Sequence, residues 1–204
     1  MLITDIGIDE AGRGSVAGSM FLVGVAITNK ELFYEKFKDV YIRDSKVLSS
    51  KQREHIYNLA KENIGICLQV NVQKFNANHL DKYGLSFCYE KGLNNIYNDL
   101  SKYFENPECI FDGKTLYGAT NLIKPVIKAD DIYYNVAIAS NIAKTKRDKE
   151  VESFNEKYPE YNWNEHKGYP NGHKKYLEKY GIIKGIHRES WSTIKNLDNK
   201  FYHY

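Results

Sequence analysis

The chain has 204 residues, 42% hydrophobic and 27% charged, with a net charge of +3, which excludes a disordered or fibrous protein and allows one sizeable core. No apolar run reaches the roughly 20 residues that span a bilayer, and the first residues lack the basic and apolar regions of a secretion signal. No membrane partner and a cytoplasmic location are therefore expected. Cys67, Cys88 and Cys109 are widely spaced and odd in number, so neither a disulfide framework nor a zinc site is indicated.

The apolar stretch from Leu2 to Ile8 predicts a first strand that delivers Asp9-Glu10-Ala11-Gly12-Arg13-Gly14 to a sheet end. Adjacent carboxylates suit divalent metal, and an arginine between glycines suits a polyanion that the backbone approaches closely. Successive strand side chains face opposite ways. Asp9 and Glu10 can thus share a site only if the strand ends or bulges there, a freedom that Gly12 and Gly14 supply. Taken alone, the stretch reads equally as a solvated strand end.

Met20 to Thr28 predicts a second, buried strand. Ser49-Ser50-Lys51-Gln52 reads as a capping box that opens a helix to about Asn63, and Ile64 to Val72 as a third strand. Phe75 to Tyr103 is expected to be helical, broken or bent at Gly84 and Gly92. Cys109-Ile110-Phe111 predicts a short strand ending in Asp112-Gly113, and Pro125 to Lys128 another before Ala129-Asp130-Asp131. A helix from Tyr134 to about Tyr158, a loop, and a helix from Lys174 to Tyr180 complete the order β-β-α-β-α-β-β-α, an α/β or α+β chain with a mixed sheet.

Three apolar segments thus end in acids. Taken singly, Asp112-Gly113 reads as a turn and Asp130 as a helix start. Brought to one sheet edge, Asp9, Glu10, Asp112 and Asp130 match the hard-oxygen ligand set of Mg²⁺ or Mn²⁺. Two such ions roughly 4 Å apart can activate a water and stabilise the leaving oxygen of a phosphodiester. Up to Ser140 there are 16 Lys and Arg against 17 Asp and Glu, and from Asn141 onward 13 against 9. An acidic half joined to a basic carboxy-terminal part suits a metal-dependent enzyme acting on nucleic acid.

The ordered set of local sequences carries more. Gly7-Ile8-Asp9-Glu10-Ala11-Gly12-Arg13-Gly14, Asp44-Ser45-Lys46 with Leu48-Ser49, Asp112-Gly113 and Lys128-Ala129-Asp130 come first. Ala137-Ile138-Ala139-Ser140-Asn141-Ile142-Ala143-Lys144 with Arg147-Asp148, Lys167-Gly168-Tyr169-Pro170 before His173, and Ile186-His187-Arg188 follow. In this order and spacing the chain resembles the ribonuclease HII family, the type 2 ribonucleases H.

The resemblance implies a ribonuclease H-like fold, a five-stranded mixed sheet flanked by helices. One nuclease domain over residues 1–204 would include a helical extension from about residue 155. It implies endonucleolytic cleavage of the RNA strand of RNA/DNA hybrids, and cleavage at ribonucleotides embedded in duplex DNA, leaving 5′-phosphate and 3′-hydroxyl ends, a task of DNA replication and repair. Asp9, Glu10, Asp112 and Asp130 would bind two divalent ions, Mg²⁺ or Mn²⁺. Asp131 is the rival of Asp130, which holds the Lys-Ala-Asp place.

By the same resemblance, Gly12, Arg13 and Gly14 would contact the ribose 2′-hydroxyl at a junction, and Tyr169 would pack on the adjacent deoxyribose. Lys46, Lys144 and Arg147 would touch phosphate, with Ser45 placing Lys46; each could equally be a surface charge. Asp148 is read as a structural ion pair, and His187 is left outside the site because nothing places it near the acids. Ser15 and Ser19 stand where the family usually has proline. The expected state is a monomer. The alternatives are a type 1 ribonuclease H and a non-catalytic nucleic-acid-binding module.

Overall fold

A computed structural model describes residues 1–43, 45, 47–197 and 201–203. One five-stranded sheet organises them, in the order β3-β2-β1-β4-β5, built from β1 (Ile6–Ala11), β2 (Met20–Ile27), β3 (Leu68–Phe75), β4 (Cys109–Asp112) and β5 (Ile123–Val126). β1 runs antiparallel to β2 and parallel to β4, and β4 runs parallel to β5. The carboxyl ends of β1, β4 and β5 therefore share one sheet edge. Pro125 sits in β5, an edge strand, where a missing N–H costs least.

Side-chain alternation gives the sheet two apolar faces. Ile6, Ile8 and Leu22 pack with Leu93 and Ile96 of α3 (Ala77–Leu100). Val23 and Val25 face the other way, against Ala139, Ile142 and Ala143 of α4 (Tyr134–Lys157) and Phe33 and Ile56 of α1 (Lys30–Phe37) and α2 (Ser50–Glu62). Gly7 lets α4 lie close on β1, since a Cβ there would come 2.5 Å from the Val136 backbone nitrogen.

The expected strands and helices are present, with instructive shifts. The capping box forms, with the Gln52 N–H donating to Ser49 Oγ at 3.3 Å and the Ser49 N–H donating to Gln52 Oε1 at 2.9 Å. β3 begins only at Leu68, because the Asn63 carbonyl collects the N–H groups of Ile66, Cys67 and Leu68 into a turn. α1 was not expected; its apolar face is little more than Phe33 and Phe37, too short a pattern to read. Of the two glycines expected to interrupt α3, Gly84 breaks it with φ of +80°, whereas Gly92 stays helical and makes room for Leu22 and Phe75.

The carboxy-terminal part, with α5 (Trp163–His166), α6 (Pro170–Tyr180) and α7 (Ser192–Lys195), closes over the segment that follows β1. Val16 packs with Leu177, Ile182 and Ile194. Two buried arginines hold the backbone of that segment. Arg188 is wholly buried and donates to the carbonyls of Gly12 (2.7 Å), Gly18 (2.8 Å) and Arg13 (3.1 Å). Burial pulls its pKa down to about 9, which leaves it charged at neutral pH.

Arg147 Nη2 donates to the Ala17 carbonyl, Ser15 Oγ and the Lys167 carbonyl, while Nη1 pairs with Glu150. Glu150 in turn accepts from the Ser19 N–H and hydroxyl at 2.8 and 2.6 Å. Hydrogen bonds to Ser15 and Ser19 tie this segment down. Arg188→Ala would strand the buried Gly12 and Gly18 carbonyls and release that of Arg13, and is expected to cost about 3–5 kcal/mol. Urea unfolding of the variant measures this; a loss under about 1 kcal/mol would refute the assigned role.

Candidate active site

The register Gly7↔Ile110 and Ile8↔Phe111 decides how the first acids meet. Ile8 and Phe111 both enter the α3-side core, while Ile110 packs with Val136 of α4. One residue further on, Asp9 and Asp112 lie on the α4 side of neighbouring parallel strands. After β5, Lys128 takes a left-handed conformation with φ of +57°, and the single turn Ala129–Asp131 follows. The Ala129 N–H donates to Asp112 Oδ1 at 3.1 Å, which pins this turn to the end of β4. Asp130 is buried and Asp131 exposed, so the turn aims the first of the pair inward.

Asp9, Asp112 and Asp130 each offer a carboxylate oxygen, and these oxygens lie within 4.8 Å of one another. Glu10 is not in this trio. The strand neither ends nor bulges at Asp9-Glu10, because β1 keeps regular pairing with β2 through Ala11↔Phe21. Glu10 therefore points to the α3 side, near Tyr89, whose phenol is pushed up by burial and by the Glu10 charge. Both acids still line one cavity, since the cavity wraps the sheet edge.

Burial, the Glu10 charge and the Asp112 charge, in that order, hold the Asp9 carboxyl well above the usual carboxylate range, against hydrogen bonds from Ser140 and the Glu10 N–H. Three crowded carboxylates with all-oxygen donors fit Mg²⁺ or Mn²⁺, which would remove the repulsion.

The same cavity, of about 840 Å³, takes in Gly12, Arg13, Gly14 and Tyr169. Gly12 has φ of +87°, and a Cβ there would come 2.6 Å from the Ser19 carbonyl oxygen, so glycine is required. Arg13 and Gly14 are exposed, and a Cβ on Gly14 would be 3.9 Å from the Tyr169 ring. Tyr169 itself is 43% exposed and stands just before Pro170, the first residue of α6.

The remaining expected residues separate. Ser45 is buried on the cavity wall, its hydroxyl 3.0 Å from that of Ser140. Lys46, with Asp44, lies outside the described residues. Lys144 lines the cavity while its Nζ holds Asp148 at 2.7 Å, and Arg53 also reaches Asp148, so the structural ion pair is present. Arg147 is corrected: it is 2% exposed, does not line the cavity, and spends its guanidinium on internal partners rather than phosphate. His187 is buried with His166 and His173 and does not line the cavity.

Sequence reasoning missed Ser140, which links Ser45 to Asp9, and Tyr117, Lys114 and Lys128 on the wall. Only Ser140 carried a signal, as a polar residue in the alanine-rich stretch of α4.

Carboxylates gathered where β1 and β4 end, on a mixed sheet of order 3-2-1-4-5, define a nuclease of the ribonuclease H fold. The family model "Ribonuclease HII" matches residues 6–194. Ribonuclease HII of Sulfurovum sp. is 37% identical over 193 residues, covering 94% of this chain and 93% of that protein. Among solved structures, the PCNA:RNase HII complex from Archaeoglobus fulgidus has TM-score 0.69 at 27% identity, covering 96% of this chain and 97% of that one. Ribonuclease H2 from Pyrococcus horikoshii gives TM-score 0.66 at 26% identity, with 93% and 94% covered. The chain belongs to the ribonuclease HII family and is a type 2 ribonuclease H. Family and fold together support endonuclease activity on RNA/DNA hybrids. Among the described residues, no helix is long and apolar enough to cross a membrane.

Proposed function

We propose that this enzyme cleaves the RNA strand of RNA/DNA hybrids and also cuts at single ribonucleotides embedded in duplex DNA, using two divalent ions and leaving 5′-phosphate and 3′-hydroxyl ends. One observation carries the reading: Asp9 and Asp112 of the acid trio share a single cavity with Glu10, the Gly12-Arg13-Gly14 segment and Tyr169, and Asp130 stands against them within 4.8 Å. Asp9, Asp112 and Asp130 would hold the metal, with Glu10 contributing from the opposite side of β1. Bound Mg²⁺ or Mn²⁺ supplies positive charge that acidifies a water and offsets charge on the leaving oxygen.

The chain's own groups do the selecting. A 2′-hydroxyl is both donor and acceptor and distinguishes RNA from DNA. Backbone groups at Gly12 and Gly14 can reach it without side-chain obstruction, because Arg188 fixes the Gly12 and Arg13 carbonyls from behind. Tyr169 offers a ring face to the adjacent sugar, and Lys144 offers charge to phosphate near the trio. With its backbone held, this reader stands in place before substrate arrives.

The expected result with Mn²⁺ or Mg²⁺ is a single cut in a DNA duplex carrying one ribonucleotide, abolished by EDTA and restored by added metal. A denaturing gel reads both. An intact single-ribonucleotide duplex beside a digested hybrid would overturn the junction reading alone.

A further inference from the structure

One wall of the cavity is built by residues that neither the acids nor the Gly-Arg-Gly segment account for. Between β4 and β5 the chain turns through Tyr117, with φ of +54°, into Gly118, with φ of +97°. A tyrosine seldom adopts that left-handed conformation, and such strain persists only where the surroundings fix it. Here the Tyr117 ring stacks on the wholly buried ring of Tyr89, with centroids 4.3 Å apart and planes 18° from parallel. The Arg13 guanidinium lies over the same Tyr117 ring, 5.9 Å from its centroid. Tyr117 and Arg13 both line the cavity that holds Asp9 and Asp112.

We propose that Tyr117 is a positioning residue for Arg13. An exposed arginine has many rotamers, and ordering it on binding costs affinity. Arg188 fixes the Arg13 backbone only. The ring, backed by Tyr89 on α3, fixes the side chain, so that the guanidinium already faces the nucleic acid when a duplex docks. Tyr117 thereby sets recognition strength without touching the reacting atoms. This role of Tyr117 rests on the reading that Arg13 contacts substrate.

The test is a double-mutant cycle on the full chain, with KM and kcat measured on a long RNA/DNA hybrid and on a single-ribonucleotide duplex. Tyr117→Gly suits the positive φ and removes the ring; KM is expected to rise about 2- to 5-fold with kcat little changed, the range of an exposed cation–π contact. Tyr117→Phe keeps the ring and the strain and should restore the parental KM. In an Arg13→Ala background, Tyr117→Gly should add nothing. Should the glycine variant fail to fold, Tyr117→Asn, which tolerates the left-handed conformation, takes its place. Parental KM in the ring-less variant, additive effects with Arg13→Ala, or no effect of Arg13→Ala alone would each overturn the proposal. If the hybrid is cut but the single-ribonucleotide duplex is not, the junction reading fails while the coupling is still read on the hybrid.

Discussion

Asp9→Asn is expected to lower cleavage by at least about 100-fold while leaving the fold as stable as the parent, or more so. The size follows from what a carboxylate does in such a site. Removing groups that merely orient metal ligands costs about 10- to 100-fold, and losing a direct ligand costs more. The stability half follows from burial and charge. Asp9 is 5% exposed and faces the charges of Glu10 and Asp112, which raise its pKa. The amide keeps an acceptor for the Glu10 N–H, now at 2.6 Å, and removes one of the repelling charges. Single-turnover cleavage with saturating Mn²⁺ and urea unfolding without metal measure the two halves. Activity within about tenfold of the parent would exclude Asp9 from the metal set, and a loss of stability above about 2 kcal/mol would show that its charge is structural.

Much of this site was legible because its signals are local. β2 announced itself as an unbroken apolar run, the Ser49–Gln52 box as a spaced pair, and Asp112 as an acid ending a short strand. The choice of Asp130 over Asp131 agrees with their burial. What stayed hidden depends on contacts between distant segments. The Asp9-Glu10 problem was posed correctly but solved otherwise. No bulge was needed, because a cavity at the end of a sheet is reached from both faces.

Arg147 and Arg188 illustrate the other limit. An arginine in sequence reads as surface charge or phosphate contact, and nothing in its neighbours reveals that its partners are carbonyls more than 100 residues away. Burial of both arginines follows from a carboxy-terminal part that folds over the segment after β1.

The same packing creates the second large effect: the fold is expected to lose about 4 kcal/mol between pH 7.5 and pH 5 through two buried histidines alone. His173 and His187 are 0% and 1% exposed. Burial, with the neighbouring histidines and Arg147, pushes His173 down to about 2, and burial pushes His187 down to about 3. Both are neutral when folded. The Ile183 N–H donates to His187 Nδ1 at 2.7 Å and the Gly168 N–H to Nδ1 of the adjoining His166 at 3.0 Å, while His173 lies between these two rings, 2.7 Å from His187 Nε2 and 3.2 Å from His166 Nε2. A proton added at either Nδ1 would face another donor.

In the unfolded chain each histidine titrates near 6.5, so below that pH the unfolded state gains protons that the folded state refuses. Their stabilisation is complete above 6.5 and falls away as pH drops toward 3. Asp9 works in the opposite sense, since its raised pKa makes acid relieve repulsion. The comparison is therefore made in the Asp9→Asn chain, by urea unfolding at the two pH values. His173→Gln should remove about half of the difference. Equal stability at both pH values would mean that the imidazole row accepts protons in the folded state, and that the carboxy-terminal part opens to let it do so.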